Sequence, residues 1–119
     1  MDLGKCLSLG SSMGYAPKPM HRLNQTINLS GYYYLKGSLK ASGYVYGEKT
    51  IIGVSKSPNV TSISGLNAYA GYGLSDTGTA ITNISSLTGE YYIYLAYDGF
   101  AGDHKTTGGT CYEIYLTTT

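Results

Sequence analysis

An antiparallel β-sandwich of jelly-roll type, built from about eight or nine strands, is predicted by three features of this sequence. Apolar residues alternate with polar ones along most of its length, clusters of Gly, Pro, Asn, Asp and Ser interrupt that pattern roughly every 8–12 residues, and no stretch carries a helical period. The length of 119 residues is that of one domain. Residues 1–25 read as an N-terminal strand and proline-rich connector that complete the sandwich, and 26–119 as the sandwich proper.

The first expected strand, 5–9, ends in the turn Gly10-Ser11-Ser12-Met13-Gly14. Pro17 and Pro19 then hold the backbone extended and forbid a helix, because each removes a donor and biases its predecessor toward the β region. Residues 20–23 form a connector or edge strand. From Thr26 to Lys36 the alternation predicts one long strand, bent at Gly31, with Ile27, Leu29, Tyr33 and Leu35 inward and Tyr32 and Tyr34 outward. A second strand spans 38–46, and Gly47-Glu48 turns into a third at 49–55. There the run Thr50-Ile51-Ile52 with Val54 is too continuous to select one face, as expected of a strand covered on both sides.

Ser57-Pro58-Asn59 breaks the chain before a weak strand at 60–63. Leu66, Ala68, Ala70, Tyr72 and Leu74 alternate as a further strand whose glycines suggest bulges. After the turn 75–78 and a short strand at 79–84 comes the strongest signal, 87–97. Thr88-Gly89 is its turn, Tyr91, Ile93, Leu95 and Tyr97 lie on one face, and Tyr92, Tyr94 and Ala96 lie on the other. The closing strand, 110–116, points Tyr112, Ile114 and Leu116 inward and Cys111, Glu113 and Tyr115 outward.

Composition narrows the function. A formal net charge of +1 with scattered basic residues provides no stripe to neutralise a run of phosphates, so nucleic acid is not an expected partner. No apolar run is long enough to span a bilayer, so membrane insertion is not expected either, and residues 1–5 do not begin a signal peptide. Four Asn-x-Ser/Thr sequences, at Asn24, Asn28, Asn59 and Asn83, read as coincidence in a chain this rich in Ser and Thr. Cys6 and Cys111 share an outward parity that would let the end strands be bridged. Such a bond would close a loop of about 100 residues, worth about 4–5 kcal/mol in the chain-entropy model. Two free thiols are the alternative, and spacing does not decide between them.

Three groupings bear on chemistry. Gly10–Gly14 matches Gly-x-Ser-x-Gly, and Asp103 and His104 follow in hydrolase order, but the prolines forbid the helix that a nucleophile elbow requires. The seven acids show no convincing pair for glycoside hydrolysis, so no enzyme is expected. The loop 98–109 gathers Asp98, Phe100, Asp103 and His104 and is the first place to look for a ligand. Its aspartates could offer oxygens to calcium, without any calcium-loop motif to support this, so no cofactor is expected. Fourteen tyrosines against one phenylalanine are the third grouping. The outward rings, Tyr32, Tyr34, Tyr92 and Tyr94 foremost, would suit sugar rings, a subunit interface such as a homotrimer's, or plain cross-strand pairing.

The stretch Thr26-Ile27-Asn28-Leu29-Ser30-Gly31-Tyr32, the stretch Ile81-Thr82-Asn83-Ile84-Ser85-Ser86-Leu87-Thr88-Gly89-Glu90-Tyr91-Tyr92-Ile93, and the closing Thr110-Cys111-Tyr112-Glu113-Ile114 together resemble small jelly-roll domains of bacteriophage tail and minor structural proteins. The resemblance covers roughly 26–116 in strand-and-turn patterns. It implies a galactose-binding-like sandwich, made in the host cytoplasm and carried on the virion, that contacts host-surface glycans or other virion proteins. It transfers no ligand residue. The expected function is therefore non-enzymatic host attachment through carbohydrate, with Tyr92, Tyr94, Tyr32, Tyr34, Asp98, Phe100, Asp103 and His104 as the tentative ligand residues. The alternatives are a purely structural decoration or fibre module, and an accessory carbohydrate-binding module of a bacterial glycosidase.

Overall fold

The computed structural model describes residues 20–40, 49–73, 77–98 and 110–119. They form seven strands and one short 3₁₀ turn: β1 (Met20–Asn28), β2 (Tyr34–Lys40), β3 (Lys49–Ser55), the turn Ile63–Gly65, β4 (Ala68–Tyr72), β5 (Gly78–Asn83), β6 (Glu90–Asp98) and β7 (Thr110–Thr117). The fold is all-β, as the alternation predicts. Two antiparallel sheets are present, one in the order β1-β6-β3-β4 and the other in the order β5-β2-β7. The expected strand at 5–9, the turn at 47–48 and the far end of the strand 38–46 lie outside the described residues.

The sheets face each other across one core. Leu35 and Leu39 of β2, Ala80 of β5, and Ile114 and Leu116 of β7 meet Ile52 and Val54 of β3 and Ile93 and Leu95 of β6. Gly37 lies in the middle of that contact, where an added Cβ would sit 2.9 Å from the Ile52 side chain. Across the same gap the buried Thr50 hydroxyl donates to the Lys40 carbonyl at 2.7 Å, which satisfies the polar group that β3 takes into the core.

β3 is buried on both faces from Thr50 to Ser55, in line with its unbroken apolar run. Its outer face, with that of β6, is covered by the chain between β3 and β4. Ile51, Tyr94, Ala96 and Leu66 form a second cluster there, joined by Val60 and Ile63. Gly53 makes the close approach of Leu66 possible, since a Cβ at that position would come within 2.6 Å of its Cδ1 atom. The weak strand expected at 60–63 is thus a covering flap that ends in the 3₁₀ turn. Its apolar residues face the sheet without pairing to it.

The single strand expected over 26–36 is two strands in different sheets. Gly31, at φ 89°, turns the chain between them, and the Asn28 side chain accepts from the Ser30 amide at 2.9 Å. The turn resets the alternation, so Tyr33 is exposed whereas Tyr32 packs against the core. A similar turn ends β5, where Asn83 Oδ1 accepts from the Ser85 amide at 2.8 Å and Gly89 follows at φ 91°. Leu29 and Ile84 lie fully buried in these turns and close one end of the core. At Asn28 and Asn83, the Asn-x-Ser spacing is that of a side chain capping the amide two residues on.

Two bulges alter the expected parities. Between Ser38 and Leu39 the register of β2 with β7 slips, so that Glu113 opposes Ser38 and Cys111 opposes Leu39. Cys111 is consequently buried and Tyr112 exposed, the reverse of simple alternation. Cys111 is disulfide-bonded. The chain's other cysteine, Cys6, lies outside the described residues. The second irregularity, between Arg22 and Thr26, interrupts the pairing of β1 with β6 and leaves Leu23, Asn24 and Gln25 exposed on this edge strand.

Candidate contact surface

The outer faces of the two sheets differ. On the four-stranded sheet, Tyr94 is 2% exposed beneath the flap. Its hydroxyl donates to the Ser57 carbonyl at 2.5 Å and accepts from the Val60 amide at 3.2 Å. Tyr94 therefore cannot present its ring to a ligand, and its expected place in a glycan site is corrected. The outward parity read from sequence is right, but the outer face of β6 is itself covered. Tyr92, two residues earlier, is half-buried, and the Arg22 guanidinium lies 4.6 Å from its ring centroid. That stacking occupies one ring face with a cation.

On the three-stranded sheet, no flap covers the outer face among the described residues. The strand registers place three rows across it: Ile81, Lys36 and Tyr115; Asn83, Tyr34 and Thr117; and Thr79, Ser38 and Glu113. Ile81, midway along the edge strand β5, is 52% exposed, Tyr34, Lys36 and Tyr115 are half-buried, and Lys40, on the same face of β2, is exposed. Tyr34 and Tyr115 stand on adjacent strands as diagonal neighbours, about 7–8 Å apart in such ladders. The Lys36 ammonium lies 5.6 Å from the Tyr34 ring centroid and donates to the Thr119 main-chain oxygen at 3.0 Å. Two amphipathic rings, hydroxyls and one held cation thus share one surface.

The tyrosines expected to act together are therefore divided. Tyr34 lies on the outer face of one sheet, Tyr92 and Tyr94 lie on that of the other, and Tyr32 sits in the connecting turn against the core. Asp98 ends β6, where its backbone pairs with Lys49. Phe100, Asp103 and His104 lie outside the described residues, as do Ser12 and the rest of the Gly-x-Ser-x-Gly segment. Among the described residues, no group of three or more His, Cys, Asp or Glu side chains is placed to hold a metal ion. No helix among them is long and apolar enough to cross a membrane.

Sequence reasoning missed the partnership of Tyr34 with Tyr115 and Ile81. The outward parity of Tyr34 and Tyr115 was visible, but the pairing of β2 with both β5 and β7 is a long-range relationship that alternation does not encode. No family model, no curated protein and no solved structure matches the chain.

Proposed function

We propose that this chain is a non-enzymatic attachment module, a sandwich of jelly-roll type carried on a phage virion, that recognises carbohydrate on the host surface. The observation that carries this reading is the asymmetry between its faces. On one sheet the flap covers Tyr94, leaving Tyr92 half-buried and Tyr69 exposed beyond it, whereas the other, among the described residues, carries no such flap and presents Tyr34 and Tyr115 with Ile81, threonines and an asparagine. Tyrosine rings offer C–H-stacking faces with a polar edge, the combination that a sugar's alternating apolar and hydroxylated surfaces require. The disulfide at Cys111 suits a protein that works outside the reducing cytosol. Contact at a single shallow face is weak, and several copies on one particle would raise the avidity by orders of magnitude without new contacts.

The test is a glycan array, with an immobilised host cell-wall fraction alongside. It would be probed with the wild type and with a Tyr34→Ala/Tyr115→Ala variant whose folding is checked by thermal melting. Binding that disappears in the folded variant supports the attachment reading. A folded wild type that binds no glycan and no wall fraction refutes it, and a trimeric mass on size exclusion would then favour a structural decoration module.

A further inference from the structure

We propose that the edge of β5 pairs with the same edge of a second copy of this chain, antiparallel about a two-fold axis at Ile81, so that two three-stranded sheets join into one continuous sheet. The hydrogen-bond parity of β5 is the first argument. The Ile84 amide donates to the Tyr33 carbonyl at 2.8 Å, and the register runs from Tyr34 opposite Asn83 to Leu39 opposite Gly78 without a shift. The main-chain groups of Ile84, Thr82, Ala80 and Gly78 therefore address β2, and those of Asn83, Ile81 and Thr79 point away from it. Among the described residues, no strand pairs with β5 on that side. Such an edge is usually guarded by a charge, a proline or a bulge, and β5 has none of the three. β1, an edge of the other sheet, has both Arg22 and a bulge.

Self-complementarity selects the occupant. With the axis at Ile81, residues 79, 81 and 83 oppose 83, 81 and 79 of the second copy, and every outward N–H and C=O of those residues meets its complement. The exposed Ile81 side chain covers its own copy, and Thr79 faces Asn83, whose Oδ1 is held by Ser85 and whose amide N–H groups are left to donate to the threonine hydroxyl. Moving the axis to Ala80 or Thr82 sets Ile81 against Thr79 or Asn83 and loses the apolar match. Charge does not oppose the pairing. Lys36, in the row of Ile81, is held by the Thr119 oxygen, and its two copies stand three strand spacings, about 14 Å, apart, beyond the screening length of about 8 Å. Lys40 lies past the pair of Leu39 with Gly78 that ends the ladder, and Glu113 lies on β7, on the far side of β2. The contact is a single ladder, so the dimer is weak and concentration-dependent. It sets two outer faces side by side, each with its Tyr34 and Tyr115, and it holds whether or not those faces bind carbohydrate.

The experiment is sedimentation equilibrium of the whole chain from micromolar to millimolar concentration, and a monomer–dimer equilibrium is expected. Ile81→Lys, at an exposed position, sets two cations opposite each other on the axis and should leave a monomer across the range, with folding checked by thermal melting. Tyr69→Lys, on β4 of the other sheet, should dimerise as the wild type does. Register is read independently with a short bis-maleimide cross-linker, the native disulfide left oxidised. Directly opposed residues of such a ladder lie about 5.5 Å apart between Cα atoms, so Ile81→Cys should be captured as a covalent dimer. Thr79→Cys, about 15 Å from its own copy, should not be captured alone but should be when mixed with Asn83→Cys. A wild type that is monomeric at millimolar concentration, or trimeric, overturns the proposal. So does a dimer that persists in folded Ile81→Lys or is lost in folded Tyr69→Lys. Capture through Thr79→Cys alone, and not through Ile81→Cys, overturns the axis at Ile81.

Discussion

The Tyr94 hydroxyl closes the flap on the larger sheet, donating to the Ser57 carbonyl at 2.5 Å while accepting from the Val60 amide. One side chain satisfies two backbone groups of a segment that has no strand partner of its own. It also converts the outer face of β6 from a surface into an interior. Tyr94→Phe keeps the ring and removes both bonds, leaving a carbonyl and an amide of the flap unpaired. A loss of about 1–3 kcal/mol is expected by urea denaturation, together with faster proteolysis between 57 and 66. Unchanged stability and unchanged cleavage would show that the apolar contacts alone hold the flap.

Gly53 is the counterpart beneath the same flap. An added methyl would meet Leu66 Cδ1 at 2.6 Å and the Ala68 carbonyl at 2.9 Å, so one neighbour is flexible and the other is backbone. Gly53→Ala should cost about 1–3 kcal/mol. Pairing it with Leu66→Ala relieves the first clash, and the double variant should therefore be more stable than the sum of the two single losses predicts. Strict additivity in the denaturation data would separate the two positions.

The turn before β6 depends on Gly89 at φ 91°, a conformation that an L side chain rarely adopts. Gly89→Ala should lower stability by about 1–2 kcal/mol through backbone strain, since no atom stands within 4 Å of the added carbon. A thermal melt unchanged from wild type would refute a left-handed backbone at this position.

Cys111 is fully buried and disulfide-bonded at the bulge in β7. Unfolding the oxidised protein in denaturant should therefore release no titratable thiol, and reduction should release both. Cys111→Ser should cost about 2–5 kcal/mol, read from the shift in the denaturation midpoint. Free thiols in the unreduced, unfolded protein would contradict the bond.

Local chemistry made much of the fold legible. The apolar run 50–54 announced a strand covered twice, the alternation of 91–96 gave β6 its two faces, and Thr88-Gly89 marked the turn before it. What escaped was set by contacts distant in sequence. Nothing near Tyr94 reveals that residues 57–66 fold back over it, and nothing near Cys111 reveals that a bulge opposite Leu39 turns it inward. The break at Gly31 was legible as a bend but not as a change of sheet, because the same alternation serves one bent strand or two. The candidate surface suffered most. Tyr34 was selected with Tyr92 and Tyr94 on parity alone, whereas its true neighbours, Tyr115 and Ile81, are set by strand order.

Recognition at the outer face of the smaller sheet is tested most directly by a backbone amide shift map of the whole chain. It would be recorded on adding the glycan that binds best on the array. Shifts concentrated at Tyr34, Lys36, Ile81, Tyr115 and Thr117 are predicted. Shifts confined to β1 and the flap around Tyr92, or to 98–109, would contradict the claim and move recognition to a different part of the molecule.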